Sequence, residues 1–306
     1  MASVISGNNQ WVNISKPREE DILELKKKYR FHKLDLEDCL SESQRPKIDE
    51  YENYLFIILH FPYYSRRTRH IATEQVNVFI GQNYLITLHD GHLEELDTIF
   101  KKCKKSSKAR QTFFGESTGF LLYSLINNLF SSSFSITDKI QLKLKQIEEA
   151  IFETAHVKDQ LFDIMVTKKN IITLRKILLP QRTVIAALEH KQKRFLPENL
   201  EIYFDDVVDQ IERLWNILET EKEVIESLED TNESLLSHKI NNTMRTLTVF
   251  SVIMLPLTFL TGLFGMNVQL PFAEALEHIE HFWSIILAMG VIVVLMVGVF
   301  KLNKWL

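Results

Sequence analysis

Two long uncharged segments near the C-terminus restrict the possible folds of this chain more than any other feature. Residues 247–264 contain no charged side chain in eighteen positions, and residues 282–300 contain none in nineteen. At about 1.5 Å per helical residue, each segment matches the ~30 Å hydrocarbon core of a bilayer. The alternative, a pair of buried helices, needs more surrounding chain than the six residues that follow the second segment. The sequence therefore predicts two membrane-spanning helices.

The charges that flank these segments predict their orientation. Arg245 precedes the first segment, and Lys301 and Lys304 follow the second, whereas the connecting residues 268–281 carry three glutamates and no Lys or Arg. Positive charge accumulates on the cytoplasmic side of membrane proteins. The N-terminal residues also lack the basic and apolar regions of a signal peptide. Both termini are therefore predicted to be cytoplasmic.

Composition excludes several classes of function. A net charge of −4 gives no reason to expect nucleic-acid binding. The two cysteines, Cys39 and Cys103, are too few and too far apart for a disulfide framework or a zinc motif, which favours a reducing compartment. The chain also has no glycine-rich phosphate loop and no nucleophile elbow. We therefore do not expect an enzyme.

The first 115 residues are predicted to form a domain of strands and short helices. Strands are predicted at 54–61, 74–81 and 84–89, and helices at 18–29 and 92–103. The last two strands are predicted to form a hairpin around Gly81. After residue 115 the strand patterns end, and two long helices joined near Thr154 are predicted to form a helical hairpin over residues 116–198.

A third long helix, which we call the stalk (residues 199–246), is predicted to continue into the first apolar segment, because no strong helix breaker occurs before Pro256. The stalk is mostly acidic, with only Arg213 and Lys222 as positive charges before residue 236, whereas the preceding helices carry basic clusters. Pairing of acidic and basic helices within one chain explains much of this pattern. It does not explain why the acidic residues lie on the helix that enters the membrane.

One face of this helix has an unusual composition. Its residues alternate at steps of three and four, which is the spacing of parallel helices that pack around a common axis. We call this face the seam; its members are Ser237, Asn241, Met244, Leu247 or Thr248, Ser251, Leu255, Thr258 and Gly262. Small and polar residues on a spanning helix face a bundle interior or a water-filled path, although tight helix packing alone is the alternative. A pore requires several copies of the chain.

The segment "NNTMRTLTVFSVIMLPLTFLTGLFGMN" (241–267) resembles the first spanning segment of the CorA family of magnesium transporters. Three upstream segments resemble the cytoplasmic part of that family: "RPKIDEYENYLFIILHF", "LRKILLPQR" and "YFDDVVDQIERL". The resemblance implies an α+β cytoplasmic domain, a long stalk helix and two transmembrane α-helices in a funnel-shaped homopentamer. It also implies a multi-pass protein of the plasma membrane, most simply the bacterial inner membrane.

The resemblance implies that the chain consists of seven consecutive parts. The expected parts are the domain 1–115, the helical hairpin 116–198, the stalk 199–246, the pore-lining span 247–264, the motif and external loop 265–281, the outer span 282–300 and the cytoplasmic tail 301–306.

The resemblance also implies roles for individual residues. Gly265, Met266 and Asn267 are expected to form the outer mouth, and Asp206 is expected to bind a regulatory Mg²⁺ between subunits. The conduction path is expected to be lined by Asn241, Met244, Leu247, Leu255, Thr258 and Gly262. Glu74 and Asp90 are candidates for the partner of Asp206 on the neighbouring protomer. Mg²⁺ is thus expected both as the transported ion and as the regulator, with Co²⁺ and Ni²⁺ as further substrates.

The chemistry of Mg²⁺ agrees with these roles, because the ion dehydrates reluctantly. A ring of Asn267 amides accepts hydrogen bonds from the bound waters without trapping the ion as carboxylates do. Two alternatives stay open. The first is a ZntB-type zinc transporter of the same architecture, to which His278 and His281 in the loop point weakly. The second is a membrane-anchored signalling or scaffold protein with a vestigial pore.

Overall fold

The computed structural model describes residues 2–41, 44–115, 117–152, 157–190, 196–197, 200–266, 278–303 and 305. The chain divides into two compact units, Met1–Glu229 and Asp230–Leu306. The long helix that contains the predicted stalk belongs to both units, because it continues without interruption past residue 229.

The first unit contains one six-stranded sheet. Its strands are β1 (Ala2–Ser6), β2 (Asn9–Ser15), β3 (Lys47–Glu50), β4 (Leu55–Ser65), β5 (His70–Ile80) and β6 (Tyr84–His89), in the order β1-β2-β6-β5-β4-β3. Strands β2 and β6 are parallel, and the other neighbours are antiparallel. The hairpin predicted around Gly81 is confirmed, since the Gly81 N–H donates to the Tyr84 carbonyl at 2.9 Å.

Both faces of this sheet are buried, which explains the unbroken apolar run in β4. Leu55, Ile57 and Leu59 point into the larger core, and Phe56 and Ile58 point into the smaller one. A strand that is covered on both sides needs apolar residues at every position. The short helices of this unit are α1 (Glu19–Tyr29), α2 (Lys33–Asp38), α3 (Glu94–Lys105) and α4 (Ser107–Phe114).

Long helices make up the rest of the described chain. They are α5 (Thr118–Phe152), α6 (Val157–His190), α7 (Glu201–Phe264) and α8 (His278–Leu302). The two predicted long helices are confirmed as α5 and α6, and their predicted junction near Thr154 lies outside the described residues. The predicted continuation of the stalk through Pro256 is also confirmed, because α7 contains that proline.

Helix α7 packs its acidic side against the basic side of α6. The ion pairs join Lys168 to Glu229, Arg175 to Glu219 and Arg182 to Glu212. The guanidinium of Arg175 also lies over the Trp215 ring, 4.7 Å from its centroid. The predicted pairing of acidic and basic helices is therefore confirmed. Partly exposed pairs of this kind stabilise by only about 0–1 kcal/mol each, so their main effect is on the register of the helices.

Gln181 of α6 fastens this helix to the sheet. Its side chain is fully buried, its Oε1 accepts from the His60 N–H at 2.9 Å, and its Nε2 donates to the His60 carbonyl. His60 lies beyond the stretch of β4 that pairs with β3, so the glutamine takes the place of a strand at this edge. Without the Gln181 side chain, the N–H and the carbonyl of His60 lose these hydrogen-bond partners.

We expect Gln181→Ala to lower the free energy of unfolding by about 2–4 kcal/mol, since each buried unsatisfied group costs about 1–3 kcal/mol. Chemical unfolding of the full chain in detergent measures this change. Gln146→Ala, an exposed glutamine on α5, is the matched control and should change stability by less than about 0.5 kcal/mol. Equal effects of the two substitutions would contradict the bridging role of Gln181.

Candidate cation pathway

Helix α7 connects the predicted regulatory region to the predicted pore. It has 64 residues and, at about 1.5 Å per residue, is about 96 Å long. Pro256 lies inside it and removes one backbone donor, which spanning helices tolerate. By length and composition, α7 and the Phe282–Leu302 part of α8 are both able to cross a membrane.

The predicted seam residues share one face of α7, because they follow steps of three and four along a regular helix. Their side chains are exposed in the single chain: Met244 is 56% exposed, Leu247 57% and Leu255 70%. Phe250, outside the seam, is 63% exposed as well. Exposure alone therefore does not distinguish a pore face from a lipid face, and the seam is defined by its spacing and polarity.

Thr258 is a seam residue whose hydrogen bonds show how a hydroxyl on this face could contact a hydrated ion. Its hydroxyl donates to the carbonyls of Met254 (3.0 Å) and Leu255 (2.9 Å) of the same helix. With its proton used in this way, the oxygen presents acceptor lone pairs outward. It is therefore suited to accept a hydrogen bond from water, including the water of a hydrated cation.

The two glycines near the end of α7, Gly262 and Gly265, have different surroundings. The Gly265 N–H donates to the Thr261 carbonyl at 2.9 Å, and a Cβ at position 265 would lie 2.8 Å from that oxygen. A side chain there requires the backbone to shift. At Gly262 an added Cβ would meet no atom within 4 Å, so this surface is open in the single chain.

The structure describes only part of the predicted mouth. Gly265 and Met266 directly follow the last turn of α7, and the Met266 N–H donates to the Leu263 carbonyl at 3.4 Å. Asn267 lies outside the described residues, as does the rest of the loop to residue 277. The role of Asn267 at the mouth therefore stays a prediction from the sequence.

Asp206, the predicted regulatory ligand, is exposed on α7 and held by a short network. Its Oδ2 accepts from Gln210 Nε2 at 2.8 Å, and the same nitrogen donates to Asn127 Oδ1 on α5 at 2.7 Å. Burial raises the pKa of nearby Tyr123, and the negative charge of Asp206 raises it further. The network therefore fixes one oxygen of Asp206 and leaves the carboxylate facing solvent.

Gln210 and Asn127 were not identified from the sequence. A glutamine four residues after an aspartate on a helix is a recognisable signal, since positions i and i+4 are neighbours. The contribution of Asn127 from another helix, 83 positions away, has no such signal. Both residues position Asp206 and do not themselves carry a charge that would hold a cation.

The two candidate partners of Asp206 differ in accessibility. Glu74 is 1% exposed, and its Oε1 accepts from the Gly91 N–H at 2.7 Å and lies 3.2 Å from His89 Nδ1. Glu74 therefore fastens the end of β6 to β5 and does not face a neighbouring molecule. Asp90 is exposed and stays a candidate. Among the described residues, no three His, Cys, Asp or Glu side chains come together as a metal site.

Comparison with known proteins places these features in one family. The family model described as "CorA-like Mg2+ transporter protein" matches residues 6–302. The cobalt/magnesium transport protein CorA of Thermotoga maritima is 30% identical over 305 residues, which cover 98% of this chain and 84% of the relative.

A solved structure and a more distant relative extend the comparison. The complete structure of the CorA magnesium transporter from Methanocaldococcus jannaschii has a TM-score of 0.84 at 24% identity and covers 99% of this chain and 94% of its own. A zinc transport protein, ZntB of Pectobacterium carotovorum, is 22% identical over 74% of this chain and 67% of its own length. Sequence similarity therefore extends to proteins named for different metals.

Proposed function

Because this chain belongs to the CorA family of divalent cation transporters, we propose that it conducts Mg²⁺ through a homopentamer, and that Co²⁺ and Ni²⁺ are further substrates. Members of the family are membrane transporters or channels and not enzymes. In this proposal the chain lies in the plasma membrane with both termini in the cytoplasm. The observation that carries it is the continuous helix α7, which joins an acidic stalk to an exposed, partly polar seam.

Assembly around a common axis follows from the seam. A single helix encloses no path, so a pore requires copies of α7 whose seams face one another. The open surface at Gly262 supports close approach of a neighbouring helix, and the 3.5-residue spacing supports a parallel arrangement. In the homopentamer, five copies of α8 form the outer ring against lipid.

Each part of the path has a distinct task in this proposal. Asn267 binds the hydrated ion at the mouth through its amide oxygen, and Thr258 accepts hydrogen bonds from the same waters further in. Met244 and Leu247 form apolar rings that stop conduction by dewetting a narrow section. Keeping the waters on the ion avoids the large cost of dehydrating Mg²⁺.

Regulation by cytoplasmic Mg²⁺ is assigned to Asp206. Its carboxylate is exposed and oriented by Gln210, and one carboxylate alone does not hold a divalent ion. A bound cation between neighbouring stalks relieves repulsion among their acidic residues, which lie within a Debye length of about 8 Å. Mg²⁺ then stabilises the closed form because it binds that form more tightly.

We expect Asp206→Ala to raise the Mg²⁺ concentration needed for closure by about tenfold, which corresponds to ~1.4 kcal/mol of binding free energy. Asp206→Lys should favour closure without Mg²⁺, because the ammonium takes the place of the cation. Protection of the stalk from protease, measured against Mg²⁺ concentration together with flux, checks both results. If protection of the parent protein does not depend on Mg²⁺, the regulatory role of Asp206 is wrong even if the pore assignment survives.

One observation, the ZntB relative, favours the zinc alternative, and the spacing of His278 and His281 in the sequence supports it only weakly. Uptake into proteoliposomes distinguishes the two ions. Mg²⁺, Co²⁺ and Zn²⁺ are offered separately, each with and without a pH gradient. The proposal predicts Mg²⁺ uptake that needs no pH gradient. Uptake of Zn²⁺ alone would assign the chain to zinc transport, and uptake of none of the three would contradict both.

A further inference from the structure

Glu221 is a buried acidic residue of α7 that the proposed transport cycle does not use. The side chain is 4% exposed, and both of its carboxylate oxygens are buried with no hydrogen-bond partner among the described residues. Leu218 and Ile225, on the same face of the helix, are fully buried. A charged carboxylate in such surroundings is strongly destabilising unless a proton, a cation or hydrogen-bond donors neutralise it.

The charged groups around Glu221 do not supply that neutralisation. The group that acts on it electrostatically is Asp138 of α5, which is also negative. Lys139 of α5, next to Asp138, is exposed, and three basic side chains of α6 and α7 are each paired with a different carboxylate, although the Nε of Arg175 is buried without a partner among the described residues. These pairs are Lys168 with Glu229, Arg175 with Glu219, and Lys222 with Glu226.

A proton suits this location better than a metal ion. A hydrated Mg²⁺ needs space for its waters and several oxygen ligands, whereas a proton needs no additional volume. The described residues bring no third acidic or histidine side chain to Glu221 and Asp138. Protonation converts the buried carboxylate into a neutral group, which removes both its desolvation penalty and its repulsion by Asp138.

We propose that Glu221 is a proton-binding site through which cytoplasmic pH controls how tightly α7 packs against α5 and α6. The protonated form is compatible with tight packing, and the charged form weakens it. Because α7 continues into the first apolar segment, looser packing in the first unit frees the helix whose seam forms the proposed pore. The effect on conduction rests on the proposed function, whereas proton binding itself does not.

The direction of the pH dependence follows from the pKa. Burial, with a further contribution from Asp138, raises the pKa of Glu221 from 4.5 to about 7. Between these values the folded protein binds a proton that the unfolded chain has released, so stability falls as pH rises through this window. The contribution is fully present below the unfolded pKa and is lost above the folded one.

Infrared spectroscopy of the full chain in lipid nanodiscs tests proton binding directly. The parent spectrum minus that of Glu221→Gln should contain a protonated carboxyl band at about pH 6 that disappears with a midpoint near 7. Glu223→Gln, an exposed acidic residue of the same helix, is the matched control and should leave the band unchanged. Asp138→Asn should move the midpoint to lower pH, because a like charge is removed.

Two infrared results would overturn the proposal. The first is the absence of the band at acidic pH. The second is a band whose loss follows Mg²⁺ concentration at fixed pH, which would identify a metal site.

Measurements of Mg²⁺ flux in proteoliposomes test whether protonation of Glu221 is coupled to conduction. Between about pH 6 and pH 8 on the cytoplasmic side, Mg²⁺ flux should rise severalfold in the parent and stay constant in Glu221→Gln. A parent that conducts without this dependence overturns the coupling. A parent that conducts no divalent cation contradicts the proposed function instead, and the infrared titration still decides whether Glu221 binds a proton.

Discussion

Asn267→Ala is expected to abolish Mg²⁺ flux while leaving the assembly intact. In the proposed pore, the substitution removes one amide oxygen per subunit that would accept a hydrogen bond from the waters of the ion. At about 1 kcal/mol for each lost hydrogen bond, the proposed homopentamer would lose about 5 kcal/mol, which reduces occupancy of the mouth by more than about a thousandfold. Flux into proteoliposomes and the size of the purified oligomer are the two measurements.

Gln269→Ala, two residues further along the same loop, provides the control for this prediction. It removes an amide of similar chemistry outside the Gly-Met-Asn motif and should keep most of the flux. Normal flux through Asn267→Ala would show that another part of the chain selects the ion, and an equal loss in both variants would indicate a general disturbance of the loop.

Met244→Gly and Leu247→Gly are expected to leak. Both side chains are exposed on the seam of α7, and the proposed closed state depends on their apolar surface to keep a narrow section dry. Removing that surface should allow flux at Mg²⁺ concentrations that close the parent, raising the residual flux at least about tenfold. Flux recorded across a series of cytoplasmic Mg²⁺ concentrations checks this.

Glycine also destabilises a helix by about 1 kcal/mol. A control variant with a glycine elsewhere on α7 is therefore needed to separate this effect from the loss of apolar surface at the seam. Met254→Gly, at an exposed position of α7 outside the seam, replaces the same residue type and should still close at high Mg²⁺. If both seam variants close as the parent does, the barrier to conduction lies elsewhere.

The elements with strong local patterns could be predicted from the sequence, and those defined by tertiary contacts could not. The uncharged runs and the long periodic helices are local features, which is why α7 and its continuation through Pro256 were predicted. Strand β2 was missed because its sequence, NQWVNIS, has no regular alternation: Trp11 and Val12 are adjacent, and the buried Asn13 interrupts the apolar residues. Trp11 Nε1 donates to Thr87 Oγ1 at 3.1 Å in the parallel neighbour, a contact across 76 residues.

The candidate sites show the same division. The seam is a regular spacing within one helix and the Gly-Met-Asn motif is a continuous tripeptide, so both could be proposed from the order of amino acids alone. Glu221 could not be, because it is one of many glutamates in an acidic stalk and only its burial distinguishes it from exposed Glu223. Gln181 of α6 is similar, since its role depends on His60 of β4, which is far away in sequence and lies beyond the stretch that pairs with β3.

A cysteine scan of α7 from residue 237 to residue 264 tests the central claim most directly. Each position is changed singly to cysteine, and Mg²⁺ flux is measured before and after a small, positively charged thiol reagent. The two native cysteines, Cys39 and Cys103, are buried and are not expected to react. We expect the reagent to block Mg²⁺ flux at every third or fourth residue, at the seam positions, and to leave flux unchanged when the cysteine replaces Phe250 or Met254. Block that is uniform along the helix, or strongest outside the seam, would contradict the proposal that this face of α7 lines the conduction path.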